Sequence, residues 1–62
     1  MPTRIFVTGI PDVVVESELQ EVTAELAMMG IPFATFQLAG DDDGRQVLIR
    51  RDAIVRLEEV PA

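Results

Sequence analysis

Neither a disulfide nor a zinc site of the usual kind can stabilise this chain, because its 62 residues include no cysteine and no histidine. At this length the burial of apolar area only roughly offsets the conformational entropy lost on folding. Hydrophobic residues make up 48% of the sequence, a large share for so small an interior. The chain therefore needs either very good packing or further burial through self-association, and we expect the second.

The residue types that are missing also exclude most catalytic chemistry. All five positive residues are arginine, and the chain has no lysine, tyrosine or tryptophan. Carboxylates are then the remaining side-chain bases, and Ser17 has no imidazole or amine to activate it. We expect a non-enzymatic protein without cofactor or metal, and carboxylate catalysis is the least favoured alternative. Eleven acidic against five basic residues give a net charge of −6, which opposes nucleic-acid binding.

The sequence contains no pattern that directs it to a membrane or out of the cell. The first ten residues lack the basic start and long apolar run of a secretory signal. No segment approaches the ~18 apolar residues of a membrane span. We therefore predict a cytoplasmic protein. Arginine without lysine, beside many alanines and valines, indicates a GC-rich coding sequence and a bacterial or phage origin.

An amphipathic helix is the clearest element of the pattern. Its apolar residues recur at spacings of four, three, four and three, at Val15, Leu19, Val22, Leu26 and Met29. Ser17 followed by Gln20 fits a capping box, and Gly30 suits the left-handed position beyond a helix end. We predict a helix from about 14–17 to 29, and leave open whether residues 13–16 are strand or helix.

The rest of the chain alternates as strands do. Strands are predicted at 4–8, 33–39, 45–50 and 54–60, with a turn over 40–44. The order is β-α-β-β-β. We predict a single α+β domain over residues 1–62, in which one helix packs on a four-stranded, mostly antiparallel sheet.

Alternation also assigns each strand residue to a face of that sheet. The face expected beneath the helix carries Ile5, Val7, Phe36, Leu38, Val47, Ile49, Val55 and Leu57. The opposite face is half apolar, with Phe6, Phe33, Leu48, Ile54 and Val60, and the chain has nothing left to cover it. Exposed apolar patches often mark partner sites. We predict a homodimer or higher homo-oligomer whose interface residues are Phe6, Phe33, Leu48, Arg50, Ile54 and Arg56.

Charged residues offer further candidate surfaces. Glu18, Glu21 and Glu25 form an acidic face on the helix, which is either solvated or the contact for a basic protein partner. The run Asp41–Asp43 is interpreted as a solvated hairpin tip rather than a calcium loop, because the closing glutamate of such a loop is missing. The arginines of the last hairpin either pair with Asp52, Glu58 and Glu59 or reach the acids of a partner.

The segment Val47-Leu48-Ile49-Arg50-Arg51-Asp52-Ala53-Ile54 resembles the strand–corner–strand segment of Sm-like RNA-binding proteins. The second signature motif of that family runs Ile/Leu-Arg-Gly-Asp/Asn-x-Ile/Val, and Arg51 stands where the motif has glycine. The resemblance implies that Arg50 matches the arginine that contacts RNA in the family. RNA binding through Arg50 is therefore the alternative function.

Overall fold

The computed structural model of the chain describes residues 1–28, 30 and 32–61, and it confirms a small α+β fold. The described residues form five strands, one helix and a short 3₁₀ turn. The strands are β1 (Thr3–Val7), β2 (Val13–Val15), β3 (Phe33–Gln37), β4 (Gln46–Arg50) and β5 (Ile54–Glu59). The helix α1 is Leu19–Leu26, and the 3₁₀ turn at Arg51–Ala53 joins β4 directly to β5.

The strands form two antiparallel sheets, so the prediction of a single four-stranded sheet is wrong. One sheet has the order β2-β1-β5, and the other pairs β3 with β4. The sheets meet at an isolated bridge between Val15 and Leu38. Beside it, the Ala39 N–H donates to the Val14 carbonyl oxygen at 3.0 Å. Neighbouring strands therefore follow one another as β5, β1, β2, β3 and β4, and no single flat sheet forms.

The predicted order β-α-β-β-β lacked one strand, because residues 13–15 form β2. Three β-branched valines in succession favour extended backbone over helix. Val15 lies opposite Thr3, and Val13 lies opposite Ile5, in the antiparallel pairing of β2 with β1. The helix is correspondingly shorter at its start than the apolar spacing predicted.

The helix begins at Leu19, after Glu18 rather than after Ser17. The Glu21 side chain accepts a hydrogen bond from the Glu18 N–H at 3.1 Å, which satisfies a free amide at the first turn. Ser17 is not the N-cap; its carbonyl oxygen accepts a hydrogen bond from the Thr3 hydroxyl at 2.8 Å. This bond ties the start of β1 to the entry of α1, and Thr3 is fully buried.

The helix ends near the predicted position. Leu26 is its last residue and Ala27 its C-cap. Gly30 has a φ of 83°, which confirms the predicted left-handed conformation, and this conformation favours glycine. Met29, the last member of the predicted apolar stripe, lies outside the described residues.

One apolar core joins both sheets and the helix. Its buried members come from β1, β2, α1, β3 and β4, and they are Ile5, Val15, Val22, Ala34, Phe36 and Ile49. Around them pack the partly buried side chains of Val7, Val13, Leu26, Val47, Ile54 and Leu57. The two sheets therefore turn their inner faces towards a shared interior, to which α1 contributes Val22.

A β-bulge in β5 reverses two of the predicted face assignments. Phe6 lies opposite Arg56 and Val7 opposite Ile54, so Val55 is an extra residue between the two paired positions. Ile54 consequently packs against the core, whereas Val55 is 68% exposed. Strict alternation had placed Val55 inside and Ile54 outside. One inserted residue exchanges their faces, because side chains in a strand alternate with a period of two.

This bulge predicts different effects of an aspartate at the two adjacent positions. Ile54→Asp places a carboxylate against the core and should lower the free energy of unfolding by about 2–4 kcal/mol. Val55→Asp should change it by less than about 0.5 kcal/mol, as at other exposed positions. Urea denaturation followed by circular dichroism, at one protein concentration, measures both. Equal losses for the two variants would contradict the bulge.

Candidate functional site

The predicted interface residues do not share one surface, because the fold distributes them over two sheets and the core. Phe33, Leu48 and Arg50 lie on the two-stranded sheet, and Phe6 and Arg56 lie on the three-stranded sheet. Ile54, the sixth predicted interface residue, packs inward against the core beside the β-bulge. Two separate candidate surfaces therefore replace the single predicted face.

The first surface is the outer face of the β3–β4 sheet. Cross-strand partners project to the same side of an antiparallel sheet, and three such pairs point away from the core: Phe33 with Arg50, Thr35 with Leu48, and Gln37 with Gln46. We call these six residues the β3–β4 outer face. Leu48 is 62% exposed and Phe33 is 41% exposed. The Arg50 guanidinium pairs with the Asp52 carboxylate at 3.1 Å, so its charge is compensated locally.

The second surface is a groove beside the bulge of β5. The Arg56 guanidinium lies 4.2 Å from the ring centroid of Phe6, within the range of a cation–π interaction. It also pairs with the Glu58 carboxylate at 3.2 Å. Ile10 and Val55 contribute exposed apolar side chains to the same groove. The Arg56 guanidinium of this groove therefore already contacts an aromatic ring and a carboxylate of the same chain.

The acidic face of the helix is divided by the fold. Glu21 and Glu25 border a groove between α1 and β3, which we call the helix–strand groove. Its other lining residues are Ser17, Ala24, Met28, Thr35 and Phe36. Glu18 lies at the helix start and lines a different depression together with Glu59. Two of the three predicted acidic residues therefore share a site with apolar side chains.

The acidic loop before β4 is more ordered than a simple solvated tip. The Asp41 carboxylate accepts hydrogen bonds from the Asp43 N–H at 2.9 Å and from Arg45 Nε at 2.8 Å. The Asp41 carbonyl oxygen accepts another from the Gly44 N–H at 3.0 Å. Only 11% of the Asp41 side chain is exposed, whereas Asp42 is exposed as predicted. Asp41 therefore organises the turn.

Arg51 has a role that the sequence analysis missed. Its guanidinium donates hydrogen bonds to the carbonyl oxygens of Leu26 and Met28, at the C-terminal end of α1. The last turn of the helix has no basic residue of its own. A cation there compensates the partial negative charge of a helix end. The position that departs from the Sm-like motif thus connects the corner before β5 to the helix.

The described residues show no further chemical site. They contain no group of three acidic side chains that could hold a metal ion. At eight residues α1 is too short to span a bilayer, and no longer helix occurs in the described part of the chain.

Comparison with known proteins found no match to this chain among protein-family models, curated proteins or solved structures. The surfaces themselves are therefore the basis for a functional proposal.

The contacts of Arg51 predict that it stabilises the fold more than its neighbour does. Arg51→Ala removes hydrogen bonds to the helix end and should lower the free energy of unfolding by about 1–2 kcal/mol. Arg50→Ala is the matched control; its exposed ion pair should contribute less than about 0.5 kcal/mol. Urea denaturation of both variants measures the difference. If the two losses were equal, Arg51 would not act as the helix cap.

Proposed function

We propose that this chain is a small acidic protein-interaction module, without enzymatic activity, that works as a homo-oligomer and most simply as a dimer. The observation that carries the proposal is the β3–β4 outer face. It exposes Phe33 and Leu48, which are diagonal neighbours on a regular pair of antiparallel strands. Large exposed apolar side chains on one face of a sheet favour contact with a matching surface.

Charge supports a second copy of the same chain as the occupant of this face. Two copies that each carry a net charge of −6 repel one another wherever acidic residues face each other. None of the six residues of the β3–β4 outer face is acidic, although the chain has eleven acids. Arg50 is paired with Asp52 at its margin. Approach through this face therefore brings two acidic molecules together with little repulsion.

The small size of the chain also supports self-association. A standard protein interface buries about 800 Å² on each partner. The whole chain exposes 4278 Å², so such a contact removes roughly one fifth of its surface from water. Burial on this scale adds apolar stabilisation to a fold without disulfides. Burying the same interface area stabilises a small chain by a larger share of its total apolar burial than it would a larger protein.

A charge placed in the β3–β4 outer face should dissociate the oligomer. We expect wild type to be dimeric or larger at micromolar concentrations and Leu48→Asp to be monomeric, because the interface would then bury opposed carboxylates. Light scattering over a dilution series measures the mass. Val55→Asp is the matched control, since it adds the same charge at an equally exposed strand position.

Circular dichroism of each variant confirms that the fold is retained. A wild-type monomer at every concentration would refute the proposal. Dissociation by Val55→Asp but not by Leu48→Asp would refute the choice of face and assign the contact to the groove beside the bulge.

RNA binding through Arg50 is the second candidate function. The observation in its favour is that the segment resembling the Sm-like motif does form a strand, a tight corner and a strand, with the Arg50 side chain 63% exposed. The Asp52 carboxylate at 3.1 Å and the net charge of −6 both oppose contact with phosphates. Self-association is therefore the favoured proposal.

A labelled single-stranded RNA titrated with the protein tests this alternative. We expect no change in fluorescence anisotropy at physiological salt. A chain with a net charge of −6 neutralises few RNA phosphates and therefore releases few of the counterions bound to the RNA. A salt-dependent rise in anisotropy that Arg50→Ala abolishes would overturn this expectation. Glu58→Gln, which removes an acid from another ion pair, serves as the control.

A further inference from the structure

The helix–strand groove lies along an open edge of the β3–β4 sheet. β3 pairs along one edge with β4 over its whole length. At its other edge the described residues provide the isolated bridge between Val15 and Leu38, beyond the end of β3, and a hydrogen bond from the Glu16 N–H to the Gln37 carbonyl oxygen at 2.9 Å. The backbone edge from Phe33 to Phe36 is therefore open to another strand. This edge spans about four residues, or roughly 13 Å.

The lining residues indicate that the groove borders the edge of β3 rather than one face of it. Thr35 points out of the sheet and Phe36 points into the core, since successive side chains in a strand alternate. Both line the groove. An apolar wall is supplied from the opposite side by Ala24 and Met28, and Met28 is 47% exposed. A methionine side chain adapts its shape to different apolar groups.

The charge of the groove has one sign. Glu21 and Glu25 lie one helical turn apart and are the ionisable residues among the described lining of the groove. No arginine is among the lining residues that the structure describes. Four arginines form ion pairs away from the groove: Arg4 with Asp12, Arg45 with Asp41, Arg50 with Asp52, and Arg56 with Glu58. Arg51 instead donates to the carbonyl oxygen of Met28, a lining residue, at the end of α1. The groove thus combines an open strand edge, apolar side chains and two carboxylates.

We infer that the helix–strand groove binds an extended basic segment of another protein, which adds a strand beside β3. Main-chain hydrogen bonds to the Phe33–Phe36 edge hold the segment, as in other cases of strand addition. Its lysine or arginine side chains approach Glu21 and Glu25, and its apolar side chains contact Met28. A second copy of this chain fits less well, since it carries the same excess of negative charge.

This site goes beyond the proposed self-association and gives the module a second contact surface. It lies at the edge of β3, whereas the homotypic contact uses the outer face of the same sheet, and the two surfaces adjoin at Thr35. An oligomer would then display several copies of the groove, and a partner with repeated basic segments would bind with increased avidity.

A short acetylated peptide of alternating valine and lysine is the probe, titrated into the full chain by isothermal calorimetry. Glu21→Gln combined with Glu25→Gln should weaken its binding about three- to tenfold. Glutamine at position 21 retains the side-chain acceptor of the capping box, so the helix is preserved. Asp42→Asn combined with Asp43→Asn removes the same charge from the loop and should change affinity by less than about twofold.

Two further measurements identify the binding mode. Backbone amide signals of Phe33–Phe36 should shift in the nuclear magnetic resonance spectrum on addition of the peptide. The same peptide with alternate backbone nitrogens methylated should bind at least about tenfold more weakly, because it cannot donate those hydrogen bonds. The Leu48→Asp variant should bind the peptide as wild type does, which separates this site from the homotypic contact.

Several results would overturn the inference. A peptide of alternating valine and glutamate that binds equally well would remove the role of charge. Equal weakening by the two double variants would indicate a general attraction to the acidic chain rather than a site. A change in the mass of the free protein caused by Glu21→Gln and Glu25→Gln would instead make the groove a contact between copies.

Discussion

A single apolar core between two sheets is the interaction on which the rest of this structure depends. Ile5 and Val15 come from the three-stranded sheet, Phe36 and Ile49 from the two-stranded sheet, and Val22 from the helix. No disulfide bond stabilises this core, because the chain has no cysteine. The sheets meet at one bridge, and the outer face of the two-stranded sheet is exposed. The candidate binding surfaces are a direct consequence of so small an interior.

Charge separates those surfaces according to the partner that each can accept. The β3–β4 outer face has no acidic member, so a second acidic copy can approach it. Glu21 and Glu25 are the ionisable residues in the described lining of the helix–strand groove, and for this reason we propose a basic segment as its occupant. In the groove beside the bulge, Arg56 is already held by Phe6 and Glu58. The two proposed contacts adjoin one another, because Thr35 belongs both to the β3–β4 outer face and to the lining of the helix–strand groove.

Periodicity predicted those parts of the fold in which neighbouring residues decide the structure. The helix around Val22, the strands on either side of the acidic loop and the left-handed Gly30 all follow from local pattern. The errors have physical causes. The bulge at Val55 adds one residue and exchanges two faces, and no composition rule marks it. Arg51 caps the end of α1 from 25 residues away in the chain, a contact that periodicity cannot reveal.

The amino-acid sequence alone determined that this is a small, acidic α+β domain without thiol or imidazole chemistry and with more apolar strand residues than one helix can cover. Those properties depend on composition and on the spacing of neighbouring side chains. The division into two sheets, the placement of Ile54 inside and Val55 outside, and the meeting of Glu21 and Glu25 with the open edge of β3 were decided only by the tertiary structure. Each of these results from contacts between residues distant in the chain, whose geometry depends on how the whole core closes.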